Sequence, residues 1–264
     1  MAVSVPTLSI LFMALAALFA FAAPIVLLIY YKRKGAEILP FFIGCAVFVL
    51  FALILKALMH QLVLKVLPVG EKIMGNTLLY ALYGGLAAGV FEETGRYLAF
   101  RTVLKKRLGN DRNALMYGAG HGGIEAILLL GFAYISNIVM SVLINAGQTD
   151  LLTATAAGEA AEQLKAILDS LVTTAPWTYL LAIVERAVAI TTHICLSVLV
   201  FFSVKKPGKG WLFPAAILLH AALDGIMAIL AAHLPVAAVE GCLVVMTLGL
   251  VFLARAVWKR NAEV

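Results

Sequence analysis

The chain has 264 residues, 63% hydrophobic and 13% charged, with a net charge of +6 and a mean hydropathy of +1.03. A soluble domain is roughly half apolar and about a quarter charged, so this composition excludes a water-soluble globule and requires lipid as a second solvent. The basic excess does not mark a nucleic-acid binder, because Lys and Arg stand in short clusters between long apolar runs, the pattern of a topology signal.

A spanning helix needs about 20 apolar residues, and about seven runs have that length. The first runs near Leu8 to Tyr31 and ends at Lys32-Arg33-Lys34. Ala20-Phe21-Ala22 imitates a signal-cleavage site, but the run is too long for a signal peptide and no Lys or Arg precedes it, so it reads as a helix. The second runs from Pro40 to about Leu64, and the third from about Ile73 to Leu104, ending at Lys105-Lys106-Arg107. The fourth spans about Ala114 to Ala146, and the fifth Pro176 to Lys205-Lys206. The sixth starts near Trp211 and ends near His233; the seventh goes from Pro235 to Trp258-Lys259-Arg260. The expectation is an all-α polytopic transmembrane helix bundle, residues 1–264 forming a single integral membrane domain.

Seven spans with the N-terminus outside and the C-terminus cytoplasmic put every basic cluster on the cytoplasmic side. The opposite loops hold only Lys65, Lys72 and Lys165. The long outer loop at 148–175 carries Asp150, Glu159, Glu162 and Asp169, with Leu164, Ile167, Leu168 and Leu171 on one helical face, which predicts a short amphipathic helix. Cys45, Cys195 and Cys242 stand alone in apolar runs and form no disulfide or metal pattern.

Ionisable residues inside a bilayer cost at least about 2.5 kcal/mol each and are functional candidates by default. Four groups occur here. The third run holds Glu92-Glu93 and Arg96, the fourth His121 and Glu125, the fifth Glu185-Arg186 and His193, the sixth His220 and Asp224. Glu92 and Arg96, His121 and Glu125, and His220 and Asp224 are each four apart, and Glu185 and His193 eight apart, so each set shares a helix face. Counted from the nearest cytoplasmic charge at 1.5 Å per residue, Glu92, His121, His193 and His220 all lie roughly 14–19 Å deep. Four helices of alternating direction thus bring polar groups to one level, somewhat to the cytoplasmic side of the midplane, which favours cytoplasmic access. Gly84, Gly85 and Gly89, and Gly118, Gly120, Gly122 and Gly123, flank two of the groups and fit close helix packing.

Carboxylates beside imidazoles fit water activation for attack on an amide carbonyl. Arg96, one turn from Glu92, would keep a carboxylate ionised despite desolvation. His220, fixed by Asp224, would donate to the oxyanion. The same donors suit a divalent metal, zinc first, on His121, His193, His220 and Glu92, although the His-Glu-x-x-His pattern is absent. A serine or thiol nucleophile has no obvious partner. His60 and His233 read as interfacial, and Asn137 and Asn145 as interhelical glue.

On Glu92-Glu93-x-x-Arg96, His121-x-x-x-Glu125, Glu185-Arg186 with His193, and His220-x-x-x-Asp224, the sequence resembles the YhfC family of intramembrane peptidases over most of its length. More distantly, and in the motifs alone, it resembles the type II CAAX prenyl endopeptidases, bacteriocin-processing enzymes and PrsW-type proteases. The resemblance implies that Glu92 is the water-activating base, Glu93 its supporting carboxylate, and His220 with Asp224 the oxyanion motif. His121, Glu125 and His193 compete for the middle motif, and Glu185 and Arg186 take a supporting place. Arg96 has the PrsW spacing, and Asp224 stands where the CAAX enzymes have Asn. The implied activity is intramembrane endopeptidase action on a membrane-embedded or membrane-proximal peptide, in a bacterial cytoplasmic membrane, with the lipid bilayer and no nucleic acid as surroundings. The alternatives are a proton-coupled transporter, disfavoured by the lack of an inverted repeat and by clustering at one depth, and a non-catalytic scaffold gripping a transmembrane segment.

Overall fold

A computed structural model describes residues 4–154 and 157–263. Among the described residues there is no strand. In chain order the helices are α1 (Thr7–Arg33), α2 (Leu39–Val66), α3 (Val69–Met74), α4 (Thr77–Arg101), α5 (Arg112–Asn145), α6 (Asp150–Thr153), α7 (Glu159–Thr173), α8 (Thr178–Lys205), α9 (Leu212–Ala231) and α10 (Val236–Asn261). Stretches of α2 and α5 are π-helical, at Phe48–Leu55, Gln61–Val66 and Ile127–Gly131.

Among the described residues, six helices are long and apolar enough to cross a membrane: α1, α2, α5, α8, α9 and α10. The remaining expected span, the third, contains α4, which has 25 residues, about 37 Å of helix and ample for a bilayer. Its Glu92, Glu93 and Arg96 keep it out of the apolar set. The protein is an all-α, multi-pass membrane protein.

Local signals place the helix ends. Gly35, at φ +92, closes α1 in the left-handed conformation, with Ala36 N donating to Tyr31 O at 3.0 Å. Pro40 opens α2, where its missing N–H costs no hydrogen bond. Asn76 caps α4, its side-chain oxygen accepting from Leu79 N at 3.0 Å. The third expected run is therefore broken at Gly75-Asn76 into α3 and α4.

The chain divides into two compact units, Met1–Ala23 with Ala126–Arg186, and Pro24–Glu125 with Ala187–Val264. In the first, Val5, Met13, Ile144, Leu171 and Tyr179 form the core. Asn145 clamps the backbone of Val5 through both its amide atoms, at 2.7 and 3.0 Å, the glue expected of it. The amphipathic helix of the 148–175 segment is α7. Leu171 is buried and Leu168 packs against the core, while Ile167 stays exposed.

In the second unit, the α8 segment carrying Leu196, Leu199, Phe201 and Phe202 is fully buried against Phe100, Tyr117, Leu212 and Leu250. Two pairs of helices meet at backbone distance. A methyl group at Gly85 would lie 2.3 Å from Ala221 O, and at Gly89 2.5 Å from Ile217 O, so α4 and α9 touch. A methyl group at Gly118 would lie 2.5 Å from Ile194 Cα, and at Gly122 2.8 Å from Ile190 Cα, which does the same for α5 and α8. These contacts set the register of the polar residues just beyond them.

Candidate active site

All components of the main cluster belong to the second unit. One turn beyond Gly89, α4 presents Glu92, Glu93 and Arg96; Glu92 is 4% exposed and the other two are fully buried. Glu92 spans two partners: Oε1 accepts from Lys56 Nζ at 2.7 Å, and Oε2 lies 3.1 Å from His121 Nε2. Glu93 also spans two, accepting from Arg96 through Oε2 and from His220 Nδ1 through Oε1 at 2.8 Å. Arg96 then reaches His193, with Nη2 3.1 Å from Nδ1. His193 Nε2 is 2.7 Å from Glu125 Oε2. Four helices, α4, α5, α8 and α9, with α2 adding its lysine, thus hold two hydrogen-bonded chains side by side, Lys56–Glu92–His121 and His220–Glu93–Arg96–His193–Glu125, which meet where the His121 and His193 rings lie 4.6 Å apart.

The network fixes tautomers. A guanidinium only donates, so His193 Nδ1 accepts from Arg96 and its proton sits on Nε2, facing Glu125. Glu93 accepts, so His220 carries a proton on Nδ1, while Nε2 faces the Asp224 carboxylate at 3.7 Å. His121 donates through Nε2 to Glu92; its buried Nδ1 has no hydrogen-bond partner, nor does the buried Tyr117 hydroxyl one turn away.

These donors fit a metal. One ligand atom each from Glu92, His121 and His193 lie within 4.8 Å of one another, all three residues buried. With neutral imidazoles, the carboxylates of Glu92, Glu93, Glu125 and Asp224 outnumber the cations Lys56 and Arg96 by two. That excess matches a divalent ion. Two imidazoles and a carboxylate with an open position are the donor set of hydrolytic zinc sites.

Several expectations need correction. Arg96 neutralises Glu93, three residues away, and not Glu92. The cation on Glu92 is Lys56, which sequence reading passed over, although a lysine in the middle of the 28-residue apolar α2 is itself an intramembrane charge. Asp224 does not fix His220: its carboxylate is 3.7 Å from Nε2 and its side chain is 49% exposed, while Glu93 makes the 2.8 Å bond. His220 stands outside the Glu92–His121–His193 donor group, its Nδ1 engaged by Glu93. Ser197 donates its hydroxyl to His193 O at 2.7 Å. His60 bonds the Tyr83 hydroxyl at 2.9 Å. Glu185 and Arg186 belong to the first unit and bond to each other.

Buried carboxylates and imidazoles, joined across the helices of a multi-pass bundle, define a membrane protein with an intramembrane polar centre. Residues 19–245 match the model of the YhfC intramembrane metalloproteases, and the chain belongs to that family. It is 40% identical over 214 residues to a Bacillus subtilis (strain 168) protein described as the uncharacterized membrane protein YhfC, covering 81% of each chain. No solved structure matches it.

Proposed function

We propose that the protein is an intramembrane metallopeptidase that hydrolyses a peptide bond in or near the bilayer. The observation that carries this reading is the Glu92–His121–His193 donor group, buried and within 4.8 Å, in a chain whose family is described as intramembrane metalloproteases. The reading takes the whole chain as one membrane domain of a bacterial cytoplasmic membrane, with seven spans and the basic loops inside.

Glu92, His121 and His193 would hold the ion. A divalent ion there would supply Lewis-acid polarisation of the scissile carbonyl and a more acidic water. Lys56 keeps Glu92 oriented from one side. Glu125 fixes the His193 ring by accepting from Nε2–H, and Arg96, which now donates to Nδ1, would have to yield that nitrogen to the ion. His220, steered by Glu93, is the proton carrier: Nε2 accepts a proton from the attacking water and returns it to the departing amine as the C–N bond breaks. Glu93 stabilises the imidazolium between those transfers. Polar groups gathered at one level suit hydrolysis better than a proton relay, which needs a path across the membrane.

Metal content by plasma mass spectrometry, paired with cleavage of a transmembrane reporter peptide in liposomes, tests these roles. About one divalent ion per chain is expected. Glu92→Gln and His193→Ala should lose both ion and cleavage, whereas His220→Ala should keep the ion and lose cleavage by about a hundredfold or more. Cleavage by metal-free protein would transfer water activation to Glu92 with His121. Glu92→Gln with its ion retained but no activity would make Glu92 the base. Full activity in Glu92→Gln would overturn the reading.

A further inference from the structure

A cavity of about 480 Å³ lies between α2, α4 and α9 in the second unit. Its inner end is formed by Lys56 and Asp224, the residues beside Glu92 and His220. From there it follows His60 and Lys65 along α2, and Gly84, Tyr83 and Tyr80 along α4. Lys65 is the penultimate residue of α2, and Tyr80 stands in the first turn of α4; both are exposed. Since α2 begins and α4 ends beside the basic loops, this mouth is at the opposite ends of the helices. The depth count favours cytoplasmic access; the cavity occupies the other half.

Two adjacent glycines separate packing from access. A methyl group at Gly85 would strike the α9 backbone, whereas at Gly84 it would meet nothing within 4 Å. Gly84 therefore leaves space in the cavity that helix packing does not use. The charge on the walls has a sign. Lys56 is matched by Glu92, and Lys65 has no acidic partner among the described residues. Asp224, the single carboxylate in the lining, sits at the inner end. A scissile carbonyl bonded within a helix is not free for attack, so the chain that arrives must be unwound.

We propose that this cavity is the approach of the substrate to Glu92: an unwound peptide segment carrying an acidic group, received by Lys65, enters from the end of the helices opposite the basic loops. The inference rests on the peptidase reading of the cluster.

The test places single cysteines at Gln61, Gly84 and Ala228, all lining the cavity, in full-length protein with Cys45, Cys195 and Cys242 replaced by serine. Oriented vesicles are treated with impermeant methanethiosulfonates, one anionic and one cationic. Labelling is expected from the side opposite the basic loops alone. The anionic reagent should be faster by about two- to fivefold after normalisation to a free thiol, the effect of one partly screened charge, and Lys65→Gln should erase that preference. Labelling from the basic-loop side, or no charge preference with Lys65 present, would overturn the proposal. Gly84→Leu should leave metal content and thermal stability unchanged, block labelling at Ala228, and lower cleavage about tenfold or more by misplacing the peptide; unimpeded labelling in that variant counts against the route. Labelling needs no activity. A chain that labels as described but never cleaves a peptide would sink the peptidase reading and leave the anionic access route standing.

Discussion

Lys56 shows how a residue's role depends on what faces it. Alone in a spanning helix, a lysine reads as a side chain reaching for the interface. Here it points inward, and its bond to Glu92 is 2.7 Å. Removing one partner of such a pair leaves the other charge uncompensated, at a cost of about 3–5 kcal/mol. Lys56→Met should therefore lower the detergent melting temperature sharply, and the Lys56→Met/Glu92→Gln double variant should recover most of the loss. Additive losses in that cycle would mean the pair is not coupled. The four-residue spacings showed which polar groups share a face, but not which partner each would choose. Arg96 chose Glu93 at three residues over Glu92 at four, because Glu92 is already held by Lys56 and His121. Asp224 shares a face with His220 and loses it to Glu93, which comes from the helix that α9 touches. Such choices depend on interhelical distances, which spacing along one helix does not contain.

At the scale of the helix, apolar run length gave the spans closely: the expected Pro40 to Leu64, Ala114 to Ala146 and Pro235 to Arg260 became Leu39–Val66, Arg112–Asn145 and Val236–Asn261. The depth count also brought α4, α5, α8 and α9 to one level, and their side chains do meet. What periodicity missed was the Gly75-Asn76 break, set by a cap and not by apolar content, and the π-helical turns, which have no apolar signature. The glycines could be read as packing residues, yet only the backbone contacts separate Gly85 from Gly84. Gly85→Leu should force α4 from α9 and destabilise the protein by about 1–3 kcal/mol or more, as overpacking does. Gly84→Ala should be near neutral. Thermal unfolding of the two variants side by side checks this, and equal melting temperatures would contradict the close approach.

At the scale of the molecule, the segments expected on the cytoplasmic side meet one another in the second unit. Arg107 pairs with Glu37, and Asn113 bonds Glu37 twice, each at 2.9 Å. Asp111 joins Lys205 at 2.7 Å and the backbone of Glu263 at 2.8 Å. Glu263 in turn bonds Lys206 and Lys205, and these two lysines hold its carboxyl below its ordinary 4.5. A carboxyl with a depressed folded value contributes above its unfolded pKa and loses that contribution as pH falls through the folded one. Docking of the C-terminal segment should thus persist through the normal range of glutamate titration and be released only below it. Limited proteolysis against pH reads this directly; Glu263→Gln should expose the segment at neutral pH, and clipping that tracks an ordinary glutamate would refute the latch. Thiol labelling of residues 34 and 208 should place both on one side of the membrane, and opposite-side labelling would overturn the seven-span topology.

The two pairs Lys56–Glu92 and Arg96–Glu93 also bear on how the chain is made. All four residues belong to α2 and α4, and their charges cancel. Glu125 and Asp224, which create the acidic excess, follow on α5 and α9. During synthesis, α4 with three charges would be a poor candidate for insertion alone, since each costs about 2.5–3.5 kcal/mol at a helix centre. Leaving the ribosome together with α2, it would carry its Glu92, Glu93 and Arg96 into lipid already balanced by Lys56. The acidic excess would then be completed last, by helices emerging after this pair of helices is already secure.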